Sequence, residues 1–310
     1  VETAPGPFVL FGSTGSGKTE VYLRAVQQVL EADPQAVAGE AIAWARAEGR
    51  PAIIATFDPH PVRFFKPDAD PFRLTTLDQR QELFAAAGAD AMLVFAFDAD
   101  LAATTAEDFM AKLLVERLGA AGVVTGEDFT FGQARGGNVA VFRTRGAELG
   151  LASRAVGAVT LDGDTVSSSR IRAALRSGDC ELATRLLTRP FAIRSVVQHG
   201  DKVGRTIGFP TANLPLGNYL RPHYGIYAVS AQLPDGTRLH GAANLGVRPT
   251  FDPPKELLEP HFFDWSGDLY GQEIEVAFHH FLRPEAKFDS LDALIQQMQR
   301  DCDQARKLLA

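Results

Sequence analysis

Residues Gly225–Leu245, GIYAVSAQLPDGTRLHGAANL, contain two β-strand patterns on either side of a tight turn. The turn is Pro234–Gly236, whose proline, aspartate and glycine each favour a reversal of the chain. Similar apolar runs lie before and after this hairpin, separated by Gly, Pro, Asn and Asp. The strands predicted here are Ala192–Gln198, Gly225–Gln232, Thr237–Leu245 and Glu273–Phe281. This pattern predicts an antiparallel β-barrel or sheet between Phe191 and Leu282.

The first half of the chain instead alternates short apolar runs with helical patterns. The apolar runs are Phe8–Phe11, Ala52–Phe57, Ala91–Phe97, Gly122–Thr125 and Ala155–Leu161. This alternation predicts βα units around a parallel sheet, which is an α/β domain. Two helix starts are predicted at Thr76 and Thr104. Gln79 follows Thr76 by three residues and Glu107 follows Thr104 by three residues, which is the capping-box pattern.

Helical patterns at Arg170–Arg176 and Cys180–Leu187 end this part, and Arg189–Pro190 interrupts them. We place the domain boundary there. The end of the chain predicts one amphipathic helix, because its apolar residues recur at helical spacing. These residues are Phe288, Leu291, Leu294, Ile295 and Met298.

The composition is that of an ordinary globular protein, with 310 residues, 45% hydrophobic and 22% charged. The net charge of −7 argues against a large surface for nucleic acid or anionic membrane. Cys180 and Cys302 match no metal-binding spacing and fit a reducing compartment. No window approaches the ~20 apolar residues of a membrane span. The first seventeen residues carry only Glu2, so they lack a basic leader pattern, and we expect a cytoplasmic protein.

Residues Gly12–Thr19, GSTGSGKT, match the phosphate-binding P-loop pattern between an apolar run and a helical pattern. In such a loop, Gly12 and Gly17 allow backbone N–H groups to surround phosphates, Lys18 reaches the β- and γ-phosphates, and Thr19 binds Mg²⁺. The segment from about residue 6 to residue 30 resembles the P-loop segment of the bacterial primosomal replication helicase. A nucleotide-driven motor also needs an acidic Walker-B residue, for which Met92–Asp98 is a weak candidate.

From Gln35 to the C-terminus, several motifs occur in the order of a different family. They are TFDPHP (Thr56–Pro61), GEDFTFG (Gly126–Gly132), SSSRIR (Ser167–Arg172), HGDKVGRTIGFPTANL (His199–Leu214), NLGVRPTF (Asn244–Phe251) and EPHFFDWSGDLYG (Glu259–Gly271). This part resembles the bacterial bifunctional riboflavin kinase/FMN adenylyltransferase (FAD synthetase) family. The resemblance implies a Rossmann-like nucleotidyltransferase domain followed by a riboflavin-kinase-like β-barrel with a C-terminal helix. It also implies ATP and Mg²⁺ as cofactors, and riboflavin and FMN as substrate and product.

The loop before Leu214 has the chemistry of a nucleotide-binding loop. Gly204, Gly208 and Pro210 make it stiff and open to close approach, and Thr211 and Asn213 then offer short oxygen ligands. The resemblance assigns Thr211 and Asn213 to Mg²⁺ and phosphate. By the same resemblance, the ATP contacts in this loop are Gly204, Arg205, Gly208, Thr211 and Asn213.

Glu259 is the candidate catalytic base, because a carboxylate can accept a proton from a hydroxyl nucleophile. Pro260 is expected to interrupt regular strand pairing beside it. The resemblance makes Glu259 the group that activates the terminal ribityl hydroxyl of riboflavin. The candidate flavin contacts are Asn244, Arg248, Phe251, Asp268 and Tyr270. Taken singly, these motifs also fit ordinary turns and solvated strand faces, and their joint occurrence in family order favours the kinase.

The adenylyltransferase half departs from the family pattern. The family begins with a strand followed by a G-N-F-D-G-V-H-x-G-H type segment, whose histidines stabilise the α-phosphate. Here the P-loop and its helix stand in that place, and family-like sequence resumes at Gln35. The remaining candidate nucleotide contacts are His60, Asp128, Ser167, Ser168 and Arg170.

These observations predict three segments: a helicase-like P-loop segment at 1–34, an FMN adenylyltransferase-like domain at 35–188 and a riboflavin kinase domain at 189–310. We expect riboflavin phosphorylation, with FMN adenylyltransferase activity implied by the family but impaired. The alternatives are a P-loop NTPase or helicase fragment, and a flavin- or nucleotide-binding module without turnover. The expected partners are small-molecule substrates, without membrane, nucleic acid or an obligate protein partner.

Overall fold

The computed structural model describes residues 8–11, 37–200, 203–248 and 255–310. The chain divides into two compact units. The first unit comprises Val1–Ala69 and Leu77–Arg170, and the second comprises Asp70–Thr76 and Ile171–Ala310. The boundary predicted at residue 189 stays a prediction.

The first unit is built on a parallel sheet of five strands in the order β3-β2-β1-β4-β7. The strands of the first unit, including those outside this sheet, are β1 (Phe8–Phe11), β2 (Ala52–Asp58), β3 (Ala91–Ala96), β4 (Gly122–Gly126), β5 (Thr130–Phe131), β6 (Gly137–Asn138), β7 (Ala152–Val156), β8 (Thr160–Leu161) and β9 (Asp164–Thr165). The short pairs β5–β6 and β8–β9 are antiparallel hairpins. Strand β1 lies at the centre and pairs in parallel with β2 and β4. The segment that departs from the family pattern therefore supplies the central strand of the sheet.

Helices cover both faces of this sheet. They are α1 (Val37–Ala47), α2 (Pro61–Phe65), α3 (Leu77–Ala86), α4 (Ala99–Ala103), α5 (Ala106–Asp108) with its π-helical continuation Phe109–Arg117, and α6 (Val139–Val141) with its continuation Phe142–Gly146. Ile54 and Val124 pack with α1 on one face, whereas the adjacent Ala55 and Val123 pack with Phe109 on the other. Burial on both faces explains why the strands are continuously apolar.

The second unit is an antiparallel sheet of six strands in the order β10-β15-β12-β13-β14-β11, a near-barrel. Its strands are β10 (Phe191–Val196), β11 (Leu214–Pro215), β12 (Gly225–Gln232), β13 (Arg238–Arg248), β14 (Lys255–Phe262) and β15 (Glu273–Arg283). Its helices are α7 (Ser168–Ser177), which begins in the first unit, α8 (Cys180–Leu187), α9 (Val203–Thr206) and α10 (Leu291–Leu309). Helix α10 packs Ile295, Met298 and Cys302 against the sheet.

The predicted fold class, a parallel α/β domain followed by an antiparallel barrel and a C-terminal helix, is confirmed. Strands β1 and β12 and helix α8 have the predicted limits. The turn at Pro234–Gly236 joins β12 to β13, and Asp235 accepts a hydrogen bond from Thr237 N at 2.8 Å.

Four local predictions are wrong. The run Ala155–Leu161 is two strands, because the chain leaves the sheet after Val156. The helix start at Thr104 moves by one residue, since Thr105 accepts the capping bond from Asp108 N. Leu291 is 57% exposed and does not share the buried face of α10. Pro260 does not interrupt pairing: β14 continues through it opposite Ala243, because a proline removes only one donor from the ladder.

Gly241 tests the packing of β13 on β14. A Cβ at this position would lie 2.3 Å from the His261 carbonyl oxygen, which the backbone of β14 holds in place. We expect Gly241→Ala to lower the free energy of unfolding by about 2 kcal/mol or more, as for other overpacked sites. Urea unfolding of the whole chain measures this change.

The matched control is Gly236→Ala in the adjacent turn. Gly236 has φ +86 and no atom within 4 Å of an added Cβ, so only the backbone cost of about 1 kcal/mol applies. Equal destabilisation by the two variants would contradict the close approach of β13 and β14.

Candidate active site

The sheet of the second unit, the loop after α9 and helix α10 enclose a cavity of about 490 Å³, here called the barrel cavity. Its apolar lining includes Ile207, Phe209, Ile226, Ala242, Val247, Phe288, Leu294, Met298 and Cys302. Its polar lining consists of Thr211, Asn244, Arg248, Glu259, His261, Arg283, Glu285 and Asp301. Its volume suits a small organic molecule, and its lining offers such a molecule apolar contacts and several polar ones.

Four lining residues form one row across four neighbouring strands. Ile226 lies opposite Arg283 of β15 and opposite Asn244 of β13. Asn244 in turn lies opposite Glu259 of β14. Residues directly opposite each other share a face of the sheet, so all four side chains are directed to the cavity side. We call Arg283, Ile226, Asn244 and Glu259 the cavity row.

Glu259 is a buried carboxylate, with 6% of its surface exposed. Arg248 donates from Nε to Glu259 Oε2 at 3.0 Å and from its terminal nitrogen to Oε1. This bidentate contact fixes the plane of the Glu259 carboxylate. The structure therefore holds one oriented carboxylate in the cavity wall.

The loop that follows α9 is closed on itself. Phe209 N donates to the Gly204 carbonyl at 2.8 Å. A Cβ on Gly204 would lie 2.3 Å from the Phe209 carbonyl, so this position accepts only glycine without rearrangement. Gly208 has φ +87, which also favours glycine. The predicted stiffness of this loop thus has a geometric basis at both glycines.

Strand β14 holds the end of this loop next to Glu259. Ala212 N donates to the Pro260 carbonyl at 3.0 Å, and the Pro210 carbonyl lies 2.9 Å from His261 Nδ1. Thr211 lies between these two attachments and lines the barrel cavity.

A second cavity of about 510 Å³, here called the loop cavity, includes both partners of this attachment, Ala212 and Pro260, in its lining. Its lining residues include Arg205, Thr211, Pro260, Trp265, Asp268 and Tyr270. The Tyr270 ring lies 3.9 Å from the His199 ring between centroids, and Asp268 accepts from Tyr270 N at 3.0 Å. Among the described residues, the buried Trp265 Nε1 has no hydrogen-bond partner. Thr211 lines both cavities.

The residues predicted for the kinase site divide between these two cavities. Gly204, Thr211, Asn244, Arg248 and Glu259 meet at the barrel cavity. The predicted flavin contacts Asp268 and Tyr270 do not join Asn244 there, because they line the loop cavity with Arg205.

The other candidates lie elsewhere. Asn213 is 7% exposed and packs on Gly200, where a Cβ would lie 2.4 Å from its Nδ2. Phe251 and the P-loop residues Gly12, Gly17, Lys18 and Thr19 lie outside the described residues.

Sequence reasoning missed a buried ion pair in the wall of the barrel cavity. Asp301 of α10 is 4% exposed and accepts from Arg283 at 2.7 and 3.0 Å and from Gln297 at 2.9 Å. The pair ties β15 to α10 and fixes the helix that forms one wall. The partners are 18 residues apart in different elements, so no local pattern announces them.

The two cysteines are free and buried. Burial raises the pKa of the Cys302 thiol to about 11, and nearby Asp301 adds to this effect. Burial also raises the pKa of Cys180 to about 12, with Glu181 and Asp179 contributing. Neither thiol has the lowered pKa of a nucleophile.

The nucleotide candidates of the first unit occupy several positions. His60 follows β2 and accepts from Val62 N at the start of α2, and the exposed Asp128 follows β4. Both therefore lie at the carboxyl edge of the parallel sheet. Ser167 caps α7 by accepting from Arg170 N at 3.2 Å. Ser168 is fully buried, and its hydroxyl has no partner among the described residues. The Arg170 side chain donates to the Leu161 carbonyl of the β8–β9 hairpin at 3.1 Å.

The first unit also contains an aromatic cavity of about 550 Å³ that sequence reasoning did not identify. Its aromatic residues are Phe57, Phe65, Phe97, Phe109, Phe129 and Phe131. Phe65, which lines this cavity, is 66% exposed. The available signal was the number of phenylalanines, 21 against five tyrosines and two tryptophans.

Across residues 37–200, 203–248 and 255–310, no three His, Cys, Asp or Glu side chains gather as a metal-binding group. In the same described part of the chain, no helix combines the length and apolar character needed to cross a membrane.

Comparison with known proteins shows two family matches. Residues 187–309 match the Flavokinase model, described as riboflavin kinase, and residues 34–170 match the FAD_syn model, described as FAD synthetase. A bifunctional riboflavin kinase/FMN adenylyltransferase of Escherichia coli K12 is 39% identical over 256 residues, 83% of this chain and 82% of the relative. The corresponding protein of Pseudomonas fluorescens is 40% identical over 263 residues, 84% of each chain.

The fold agrees with a solved structure over nearly its full length. The crystal structure of a Streptococcus pneumoniae protein described as a macrolide-efflux protein has a TM-score of 0.81 and 27% identity. It covers 99% of this chain and 95% of that protein. The chain therefore belongs to the bifunctional riboflavin kinase/FMN adenylyltransferase family, as its motifs predicted. It is a kinase and nucleotidyltransferase family enzyme of FAD biosynthesis.

The raised pKa values of the thiols predict slow labelling by iodoacetamide. With a pKa near 11, about one Cys302 in a thousand is thiolate at pH 8, and this fraction rises about tenfold per pH unit up to pH 10. We expect the labelling rate of Cys302 in the folded protein to follow that rise, and that of Cys180 to stay lower. Mass spectrometry after timed quenching measures both rates. Rapid labelling of Cys302 at pH 7 would contradict its position in the buried wall, and labelling of the urea-unfolded chain is the control.

Proposed function

We propose that the second unit is a riboflavin kinase that transfers the γ-phosphate of ATP to the 5′-hydroxyl of riboflavin. The observation that carries the proposal is the buried, oriented carboxylate of Glu259 in the wall of the barrel cavity. Thr211 lies at the boundary of the two cavities, which gives two substrates a common meeting point. The family match to riboflavin kinase supports the choice of riboflavin as acceptor.

In this proposal riboflavin occupies the barrel cavity. The isoalloxazine ring is flat and largely apolar, which suits the wall formed by Phe288, Leu294 and Met298. The ribityl chain extends along the cavity row toward Glu259. Arg248, which contacts both oxygens of Glu259, keeps the carboxylate directed at the terminal hydroxyl.

ATP occupies the loop cavity. Arg205 offers a guanidinium for phosphate, and Tyr270 and Trp265 offer aromatic surface for the base. This arrangement reassigns Asp268 and Tyr270 from flavin to nucleotide, because they line the loop cavity. Gly204 and Gly208 allow the loop to approach the phosphates closely.

The proposed Mg²⁺ donors are Thr211, which lines both cavities, and Asn213, which packs on Gly200 outside both linings. Both are hard oxygen ligands of the kind this ion prefers, and Gly200 leaves the space that the Asn213 amide requires. When bound there with ATP, Mg²⁺ would neutralise charge on the phosphate oxygens. The two side chains are neutral, so the phosphates themselves supply the negative ligands.

Glu259 acts as the general base in the transfer. It accepts the proton of the 5′-hydroxyl as that oxygen bonds to the γ-phosphorus. The bond from this phosphorus to the bridging oxygen breaks, and ADP leaves with that oxygen. Most of the rate enhancement then comes from positioning and charge neutralisation, with a smaller contribution from the base.

Glu259→Gln tests the base. The amide keeps the size of the side chain but cannot take the proton, so we expect kcat for FMN formation to fall by about 10²–10⁴. KM for riboflavin should change by less than about threefold, since uniform binding is retained. Chromatographic quantification of FMN measures both constants.

Glu256→Gln is the matched control on the same strand. Glu256 lies three residues from Glu259, so it points to the opposite face, where Arg221 holds it at 2.7 Å. We expect this variant to keep normal kcat. Full activity of Glu259→Gln, or equal losses in both variants, would contradict the assignment.

We propose further that the first unit binds FMN in its aromatic cavity but transfers AMP to it poorly. The FAD synthetase match over residues 34–170 and the flat surfaces of Phe57, Phe97 and Phe129 support flavin binding. The family's histidine-containing segment is replaced by Gly12–Thr19, so His60 is the remaining candidate among its histidines. Lost stabilisers of the reacting phosphate lower the rate.

FAD formation from FMN and ATP tests this proposal. We expect a rate at least about 100-fold below that of the Escherichia coli relative assayed side by side, because one preorganised stabiliser contributes about 10²–10³. Equal rates would overturn the proposal. Lys18→Ala is the accompanying variant, and we expect it to leave FMN formation unchanged. Flavin-independent ATP hydrolysis that this substitution abolishes would favour the P-loop NTPase alternative.

A further inference from the structure

Residues Asp70–Thr76, here called the strap, belong to the second unit, although the residues on both sides of them in sequence belong to the first. The strap lies between α2 and α3, and its Leu74 and Thr75 are buried. Segments that only connect two elements usually run over the surface of a protein. The burial of the strap therefore indicates that the second unit uses it as part of its own structure.

The strap pairs with the loop at residues 216–224, which connects β11 to β12. Arg73 N donates to the Asn218 carbonyl at 3.2 Å, and Leu220 N donates to the Arg73 carbonyl at 2.8 Å. These two bonds belong to a parallel β-bridge between Arg73 and Tyr219. The bridge fixes the backbone of the loop near its centre.

The Tyr219 side chain holds the same loop from the other direction. It is buried, and its hydroxyl accepts a hydrogen bond from Arg194 N of β10 at 3.2 Å. Its ring lies edge-on to Phe191, at 6.2 Å between centroids. Thr76 of the strap also hydrogen-bonds to this side chain, and burial raises the pKa of Tyr219 to about 12. The strap, the loop and β10 therefore meet at one buried tyrosine, which keeps its proton at neutral pH.

The loop at residues 216–224 continues the segment that the proposed kinase uses for its nucleotide. Thr211 and Asn213 come just before β11, and the loop follows directly after it. Strand β11 is only two residues long, and both residues pair with β14. Because so short a strand supplies few bonds, the positions of Thr211 and Asn213 also depend on what holds the chain after β11.

We propose that the strap is a positioning element of the kinase, which holds Thr211 and Asn213 in place beside Glu259 by fixing residues 216–224. This inference rests on the proposed function, which assigns Thr211 and Asn213 to Mg²⁺ and ATP. It adds residues that lie outside the riboflavin kinase match, which begins at residue 187, and inside the FAD synthetase match over residues 34–170. A segment from the FAD synthetase half of the sequence thus serves phosphoryl transfer to riboflavin.

Arg73→Pro in the full chain tests the bridge, because proline has no N–H to donate to Asn218. We expect KM for ATP in riboflavin phosphorylation to rise about tenfold, since the loop loses one bond and the alignment of the other. KM for riboflavin should change by less than about threefold, because the wall proposed for its ring belongs to other elements. Assays of FMN formation over a range of each substrate measure both constants.

Arg73→Ala is the matched control, because it removes the same side chain but keeps the backbone N–H. It should keep the wild-type KM for ATP. Equal effects of Arg73→Pro and Arg73→Ala would contradict the role of the bridge.

Hydrogen exchange gives a readout that does not depend on activity. In Arg73→Pro, we expect peptides that cover residues 211–222 to exchange faster than in the wild type, because the loop opens locally. Peptides from β12 (Gly225–Gln232) should keep the wild-type rate. Equally faster exchange in both regions would show a general loss of stability and would overturn the positioning role.

Leu74→Ala is a second variant, which also covers the case that Arg73→Pro does not fold. Removal of this buried side chain should loosen the strap and raise KM for ATP about threefold. Leu239→Ala truncates another buried leucine, near the start of β13, and should leave KM for ATP unchanged.

The outcomes separate the two proposals. Wild-type KM for ATP in both Arg73→Pro and Leu74→Ala would overturn the positioning role of the strap and leave the kinase assignment in place. A wild-type chain that forms no FMN from riboflavin would overturn the kinase function itself. Faster exchange at residues 211–222 in Arg73→Pro would then still support the hold of the strap on the loop.

Discussion

The register between β13 and β14 determines which side chains of the second unit line the barrel cavity. It sets Asn244 opposite Glu259 and brings both onto the face that carries Arg248, four residues after Asn244. A shift of one residue would move Glu259 to the outer face and direct Leu258 into the cavity. The pairing continues through Pro260, whose carbonyl still accepts from Ala212 N. The same strand thereby holds the carboxylate on one side and the glycine-rich loop on the other.

Three glycines leave the space that neighbouring atoms of this arrangement occupy. Gly204 permits the closure of the loop on Phe209, Gly200 leaves room for Asn213, and Gly246 admits Glu285 over the sheet. Each position would otherwise place a Cβ within 2.4 Å of another atom. The result is a pair of cavities separated by Thr211, one suited to a flat acceptor and the other to a nucleotide. The proposed function assigns these two adjacent cavities, which share Thr211, to the acceptor and the nucleotide.

Periodicity and turn residues were sufficient to predict the fold, because β12 and the turn at Pro234–Gly236 are specified locally. Glu259 and the glycine-rich loop could also be predicted, because their residues cluster in short motifs. The contacts of Asp301, the position of Glu285 and the aromatic cavity could not be predicted, because they involve residues far apart in sequence. The prediction that Pro260 interrupts strand pairing was wrong for a related reason. The effect of a proline on a strand depends on which neighbouring acceptors need its missing N–H. Strand β1 lies at the centre of the first sheet, and its four apolar residues predict a strand but no chemistry.

The most direct test of this account is a crystal structure of the chain with riboflavin, ADP and Mg²⁺. We expect riboflavin in the barrel cavity, with its 5′-hydroxyl oxygen about 2.6–3.2 Å from a Glu259 oxygen, and ADP in the loop cavity. The ring should lie against Phe288, Leu294 and Met298. Riboflavin bound only in the aromatic cavity of the first unit, or with its 5′-hydroxyl remote from Glu259, would contradict the account.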